Sequence, residues 1–172
     1  MKTRPATAQD RAGIWHILEP IIREGETYTL DSQMNDEQVL DYWFSPNHQV
    51  FVTICGTQMA GTFYLRPNQG GGGAHVANAG FAVAPAFRRR GIARAMAVYA
   101  LEQAEKVGFT AMQFNFVIAS NMGAIKLWHQ LGFATVGRLP GAFDHPRLGL
   151  VDALVMYRTL AKPHSNTAQS AT

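Results

Sequence analysis

One cysteine, Cys55, stands in 172 residues, which excludes an intramolecular disulfide and any zinc site built on paired thiolates. It lies in an apolar run and reads as a small buried side chain rather than a nucleophile. No Cys/His cluster has zinc-ligand spacing, so no metal is expected. No apolar run reaches the ~20 residues that span a bilayer, and no basic-then-apolar leader opens the chain. A cytoplasmic location without a membrane partner is the expectation. Charge of either sign is scarce: 15 Lys plus Arg against 12 Asp plus Glu give +3, too slight and dispersed for a nucleic-acid partner. Neither the phosphate-loop pattern nor the dinucleotide glycine fingerprint occurs. Linkers and internal repeats are missing as well.

What remains is one domain with 47% apolar residues, enough for a sizeable core. Residues 1–160 read as that domain and 161–172 as a loose polar tail. Thr3 to Ala6 reads as a strand, followed by a helix carrying Ile14, Ile17, Leu18, Ile21 and Ile22 and ended by Gly25. A second helix starts at Asn35 or Asp36 and stops at Ser45-Pro46. Gln49 to Ile54 and Met59 to Arg66 form a hairpin, and Asn68 to Gly73 a flexible loop before a strand over Ala74 to Val83. Thr110 to Ile118 and Phe133 to Arg138 read as strands. Leu139 to Leu148, with two prolines and Gly141, reads as a loop over the sheet edge, before a last strand over Leu150 to Leu160.

Two segments carry chemistry. Pro85 ends a strand, and Arg88-Arg89-Arg90-Gly91-Ile92-Ala93-Arg94 then turns into a helix whose first turn has little bulk. Free N–H groups, a positive helix end and three arginines suit a pyrophosphate. A basic solvated turn is the plainer account. Further on, Ser120 or Asn121 caps a helix with Ala124, Leu127, Trp128 and Leu131 on one face and Gly132 at its stop.

Together these segments resemble the two signatures of the GNAT acyltransferase superfamily, Q/R-x-x-G-x-G/A at Arg88 to Ala93 and N-x-x-A-x-x-L-Y-x-x-x-G-F at Asn121 to Phe133, with Trp128 in the tyrosine place. The resemblance covers about residues 1 to 160. It implies an α/β GNAT fold: a mixed, mostly antiparallel seven-stranded sheet splayed between strands 4 and 5, flanked by about four helices. It also implies acetyl-coenzyme A as cofactor. Phe81, Ala82 and Val83 would pair with its pantetheine arm, Arg88, Arg89, Arg90, Gly91, Ile92, Ala93 and Arg94 would hold its phosphates, and Asn121 and Trp128 would contact it. Gly80 would either permit a bulge in this strand or ease packing.

The reaction implied is direct attack of a neutral amine on the thioester. Many relatives place a glutamate where this chain has Asn78, which cannot act as a base. His75 titrates in the right range, although strict alternation sets it and Asn78 on opposite faces. Water is the other route for the proton. Trp128, an indole, is no acid for the leaving thiolate. Asn78 and Asn115 sit in apolar strands and need partners: either structural hydrogen bonds or the acceptor and thioester. Asn78, Asn115 and His75 are thus the catalytic candidates, and Glu26, Thr27 and Tyr28, with Asn78, the substrate-binding ones.

His75-x-x-Asn78, Phe114-Asn115, Asn121 and Leu127-Trp128 resemble fungal acetyltransferases of azetidine-2-carboxylate and related proline analogues. Gly25 to Leu30 resembles phosphinothricin-type acetyltransferases. A small amino acid or its toxic analogue is therefore the expected acceptor, its carboxylate met by Arg66, Arg138 or Arg147, which the sequence does not rank. A homodimer is expected. A catalytically idle acyl-coenzyme A sensor or interaction module, or an acetyltransferase for protein N-termini or other amines, is the alternative.

Overall fold

A computed structural model describes residues 1–160; the tail expected at 161–172 lies outside the described residues. The strands are β1 (Lys2–Pro5), β2 (Gln49–Cys55), β3 (Gln58–Pro67), β4 (Val76–Val83), β5 (Ala111–Ile118), β6 (Ala134–His145) and β7 (Gly149–Thr159). The helices are α1 (Arg11–Glu24), α2 (Asp36–Trp43), α3 (Ile92–Lys106) and α4 (Met122–Gln130), with 3-10 turns at Ala8–Asp10, Gly71–Gly73 and Pro85–Phe87. One sheet runs β1-β2-β3-β4-β5-β7-β6, and only β4 and β5 pair in parallel. This is the open seven-stranded α/β sheet with four helices that the two signatures implied.

The periodicities decide which face each helix covers. Ile14, Ile17, Leu18, Ile21 and Ile22 of α1 are all buried, and with Val39, Leu40 and Trp43 of α2 they pack on one face of the sheet. Gly25 ends α1 at φ +66, and Asn35 and Gln38 cap α2 reciprocally. On the opposite face, α3 buries Ile92, Met96, Ala97, Ala100, Leu101 and Ala104, and α4 buries Ile125 and Trp128. The side chains of β4 alternate between the two faces. Ala77, Ala79, Phe81 and Val83 join the α3 and α4 side, and Ala82 the α1 and α2 side.

β4 and β5 share only two register pairs, Val76↔Ala111 and Ala77↔Met112, before they part. β4 stays on β3 through Val83, and β5 stays on β7. A bulge helps β5 diverge: Phe114 pairs with Met156 and Val117 with Leu154, so Asn115 and Phe116 face the single Val155.

Three expectations change. The segment over Leu139 to Leu148 is mostly strand, because β6 runs on to His145. Its breakers fit there because β6 is an edge strand and its register shifts between Leu139 and Phe143, leaving Pro140 and Gly141 out of the ladder. The Asn68 to Gly73 segment is not a free loop. Asn68 is buried, its N–H donates to Val76 O, and Gly71–Gly73 forms a 3-10 turn. Cys55 ends β2 as a half-buried free thiol.

Gly80 makes no bulge, since the register to β3 continues unbroken through Tyr64↔Gly80. A Cβ there would lie 2.6 Å from the Tyr64 ring. That ring is fixed by edge contacts to Trp43 and Tyr42 and by stacking on His48, so it has little room to give. Gly80→Ala is expected to lower unfolding free energy by about 1–3 kcal/mol through overpacking. Urea denaturation checks this, and an unchanged midpoint would contradict it.

Candidate active site

Three hydrogen bonds fix which way the β4 backbone points. Ala84 N–H donates to Ala60 O and Asn68 N–H to Val76 O, so even-numbered residues bond toward β3; Thr110 N–H donates to His75 O, so odd-numbered residues face β5. Beyond Ala77 there is no β5 partner. The N–H and C=O groups of Ala79, Phe81 and Val83 therefore point into the gap between the strands, an open edge suited to an extended amide-bearing chain.

Two cavities meet at this gap and share Thr27, Phe81 and Asn121 in their walls. The larger, about 500 Å³, is lined by Phe81, Ala82, Val83, Arg88, Ser120 and Asn121, with Glu26, His145 and Arg147 across the opening. Below it, the chain passes through Arg88, Arg89 (φ +60) and Gly91 (φ +77) into α3. Nothing lies within 4 Å of where a Gly91 Cβ would stand, so a ligand can approach the free N–H groups. Arg88 pairs with Glu24 at 3.3 Å, Arg90 covers the Phe87 ring, and Arg94 is exposed on a shallow surface beside Gly91. Ile92 turns its side chain into the core, so only its backbone is available, and Ala93 is half-buried. Asn121 Oδ1 accepts from Ala124 N–H at 3.1 Å and caps α4, which leaves its amide nitrogen toward the cavities. A cofactor with a pyrophosphate and an amide arm fits these residues.

The smaller cavity, about 310 Å³, lies where the strands part. Tyr28, Tyr42, Phe81, Phe114, Phe116 and Trp128 give it aromatic walls, and Arg66, Asn78 and Asn115 its polar groups. Trp128 packs 4.6 Å from Phe114 and 5.2 Å from Phe81, centroid to centroid. Tyr28 Oη donates to Phe81 O at 2.6 Å and so ties the loop after α1 to the open edge of β4. Burial, then the neighbouring Tyr64 and Tyr42, push the Tyr28 pKa well above its ordinary value, outweighing the Phe81 bond, so it stays a donor.

Both asparagine amides have partners. Asn78 Nδ2 donates to Gln113 O at 2.8 Å, bridging β4 and β5 one residue past their last backbone pair. Asn115 Nδ2 donates to Asn68 Oδ1 at 2.7 Å while its Oδ1 accepts from Gln113 Nε2 at 2.8 Å. His75 is not brought to either cavity. It precedes β4 on the surface, with its Nδ1 against Gly72 O. Among the described residues, no Asp, Glu or His lines the smaller cavity.

Of the substrate-side candidates, Tyr28 and Thr27 reach the smaller cavity and Glu26 only the larger one. Glu26 is occupied by Arg147 at 2.7 Å, with buried His145 Nε2 at 3.9 Å. Arg138 pairs with Asp152 at 2.8 Å. Arg66 alone of the three candidate arginines lines the smaller cavity. It has no carboxylate partner among the described residues, and its Nε is buried without an acceptor. Sequence reasoning missed Tyr42, Asn68 and the Glu26–Arg147–His145 cluster. Tyr42 carries no motif; Asn68, beside a glycine run, looked like loop.

Residues 15–133 match the model of the Acetyltransferase (GNAT) family. The N-acetyltransferase aca1 of Schizosaccharomyces pombe is 32% identical over 154 residues, 78% of this chain and 72% of that protein. A GCN5-related N-acetyltransferase structure from Kribbella flavida superposes with a TM-score of 0.88 at 39% identity, over 92% of this chain and 97% of that one. The yncA structure from Salmonella typhimurium, solved with its cofactor acetyl-CoA, has a TM-score of 0.82 at 20% identity over 98% of each chain.

Asn78→Ala removes the bridge at the fork and leaves Gln113 O without it. The expected outcome is a stability loss of about 1–2 kcal/mol, with coenzyme A affinity changed less than threefold because β4 keeps its pairing to β3. Urea unfolding and titration calorimetry check both parts. A parallel collapse of coenzyme A binding would contradict the independence of the open β4 edge from the Asn78 bridge.

Proposed function

The chain belongs to the GNAT acetyltransferase family and is an acetyl-CoA-dependent N-acetyltransferase, and from that premise we propose that its acceptor is a small amino acid or amino-acid analogue, taken into the cavity at the fork of β4 and β5. The observation that carries this reading is the size and wall of that cavity: about 310 Å³, lined by Tyr28 and Tyr42 and sharing Thr27, Phe81 and Asn121 with the larger one. A compact amine fits; a folded protein surface or a long polyamine does not. No acidic side chain lines it to attract a polycation.

When bound, acetyl-CoA supplies an acetyl thioester whose thiolate, with a thiol pKa near ~8.5, leaves without a strong acid. The residues of this chain do the positioning. Phe81 and Val83 offer backbone groups to the amide arm, and the Arg88 to Ala93 turn offers N–H groups and positive charge to the phosphates. Asn121 stands in the wall shared by the two cavities, and Trp128 lines the smaller one beside Phe81, acting by packing rather than proton transfer. Asn78 and Asn115, with Gln113 and Asn68, hold the acceptor side of the fork. With no carboxylate or imidazole among the described residues on the wall of the smaller cavity, water is the acceptor we assign to the amine proton. No cysteine lines the site, since Cys55 sits in the β2–β3 hairpin, which favours direct transfer.

Modification of toxic amino-acid analogues in the cytoplasm agrees with this acceptor class. The open β6 edge, with Leu139 and Leu150 exposed beside it, supports the expected homodimer. Steady-state thiol release tests the reading with azetidine-2-carboxylate, methionine sulfoximine, phosphinothricin and small natural amino acids against spermidine and an Ala-initiated peptide. Turnover confined to the amino acids and analogues is expected. Tight coenzyme A binding with no turnover on any amine would overturn it in favour of an idle sensor.

A further inference from the structure

Arg66 stands near the end of β3, opposite Asn78 in the register, and among the described residues is the only charged one lining the cavity at the fork. Three other arginines have carboxylate partners: Arg88 has Glu24, Arg138 has Asp152 and Arg147 has Glu26, while the unpaired arginines of the 88 to 94 turn do not line this cavity. Arg66 has none among the described residues, and its buried Nε meets no acceptor. A guanidinium cannot shed its proton at accessible pH, so a half-buried one without a counter-ion retains an unmet demand for an anion. Burial, and after it the Arg66 charge, lower the pKa of the His48 imidazole against a raising bond to the Trp43 carbonyl, which favours its neutral form; no anion comes from that side. The amides of Asn78 and Asn115, bonded to Gln113 O and to Asn68 and Gln113, are neutral and supply no counter-charge.

We propose that Arg66 is the carboxylate anchor of the acceptor site, selecting amines that carry a carboxylate within a few bonds of the nitrogen. This rests on the acetyl-transfer reading and narrows it. The planar fork of Arg66 matches a carboxylate, and the aromatic walls leave room for a compact apolar body between that anchor and the gap. The same positive charge disfavours the ammonium form of a bound amine, so Arg66 holds the acceptor and helps keep its nitrogen neutral. Amines without a carboxylate bring only the repulsion, which separates amino acids from simple alkylamines by charge as well as by shape.

The test compares paired acceptors, each amino acid with its carboxamide and its decarboxylated amine, in the wild type and in Arg66→Gln and Arg66→Lys. For the wild type, kcat/KM for the acid should exceed that for the amide by about a hundredfold, the size expected for hydrogen bonds to a charged group. Arg66→Gln should collapse that ratio to within about threefold, and Arg66→Lys should restore part of it. Titration calorimetry of the same acids onto the coenzyme A-loaded protein gives a readout independent of turnover, with Kd weakened by a similar factor in Arg66→Gln. Equal loss for acid and amide, or a wild type that accepts the amide as readily as the acid, would overturn the assignment while leaving acetyl transfer intact. Acids that bind through Arg66 but are never acetylated would support the anchor and sink the enzyme reading instead.

Discussion

Parallel pairing between β4 and β5 stops after Ala77↔Met112, yet each strand remains held on its other side by an antiparallel neighbour, β3 for β4 and β7 for β5. Beyond that point the two strands follow those outer neighbours apart, and the inner edge of β4 has no strand partner among the described residues. Backbone groups of Ala79, Phe81 and Val83 are consequently left facing a cleft, where an unpaired donor or acceptor is stable only with water or a ligand. The β5 bulge at Asn115 and Phe116 and the side-chain bridge from Asn78 to Gln113 O keep the fork at a fixed place. From this one interruption follow the two cavities and their shared wall, where we propose that cofactor and acceptor meet.

Around the fork, polar and aromatic groups divide the labour. Amide side chains form a chain, Asn78 to the Gln113 carbonyl and Gln113 through Asn115 to Asn68, that ties β4, β5 and the segment after β3 together. The hydroxyl of Tyr28 joins the loop after α1 to Phe81, so ordering of that loop and of the β4 edge are linked through one bond. Tyr42 and Tyr64, 3.2 Å apart at their hydroxyls, extend the wall from α2 to β3, and the close approach of Tyr64 is what requires Gly80. Positive charge is assigned by pairing: arginines matched to Glu24, Glu26 and Asp152 brace the rim, and Arg66 is left to face the cavity.

Local signals carried much of this architecture in the sequence. The apolar stripe of α1, the Gly25 stop, the Asn35 and Asn121 caps and the Arg88 to Gly91 turn each depend on neighbours a few residues away, and all stand as read. What was not legible depends on long-range partners. Asn78 and Asn115 could be marked as amides needing partners, but Gln113 O and Asn68 become those partners only because of where the strands part. Arg66, Arg138 and Arg147 look alike until Asp152 and Glu26 are folded against two of them. Pro140 and Gly141 read as loop because an edge strand's tolerance for breakers is a property of the sheet. His75 lost its place when the strand began at Val76, after a turn that bonds its ring to Gly72.

The open edge of β4 is the central claim, and residue-resolved amide hydrogen exchange with and without coenzyme A tests it most directly. The N–H groups of Phe81 and Val83, which face the gap, should slow by at least about tenfold when coenzyme A is added. Those of Gly80 and Ala82, bonded to β3, should already be slow and stay so. Unchanged exchange at Phe81 and Val83 under saturating coenzyme A, or protection confined to the Arg88 to Ala93 turn, would contradict the account.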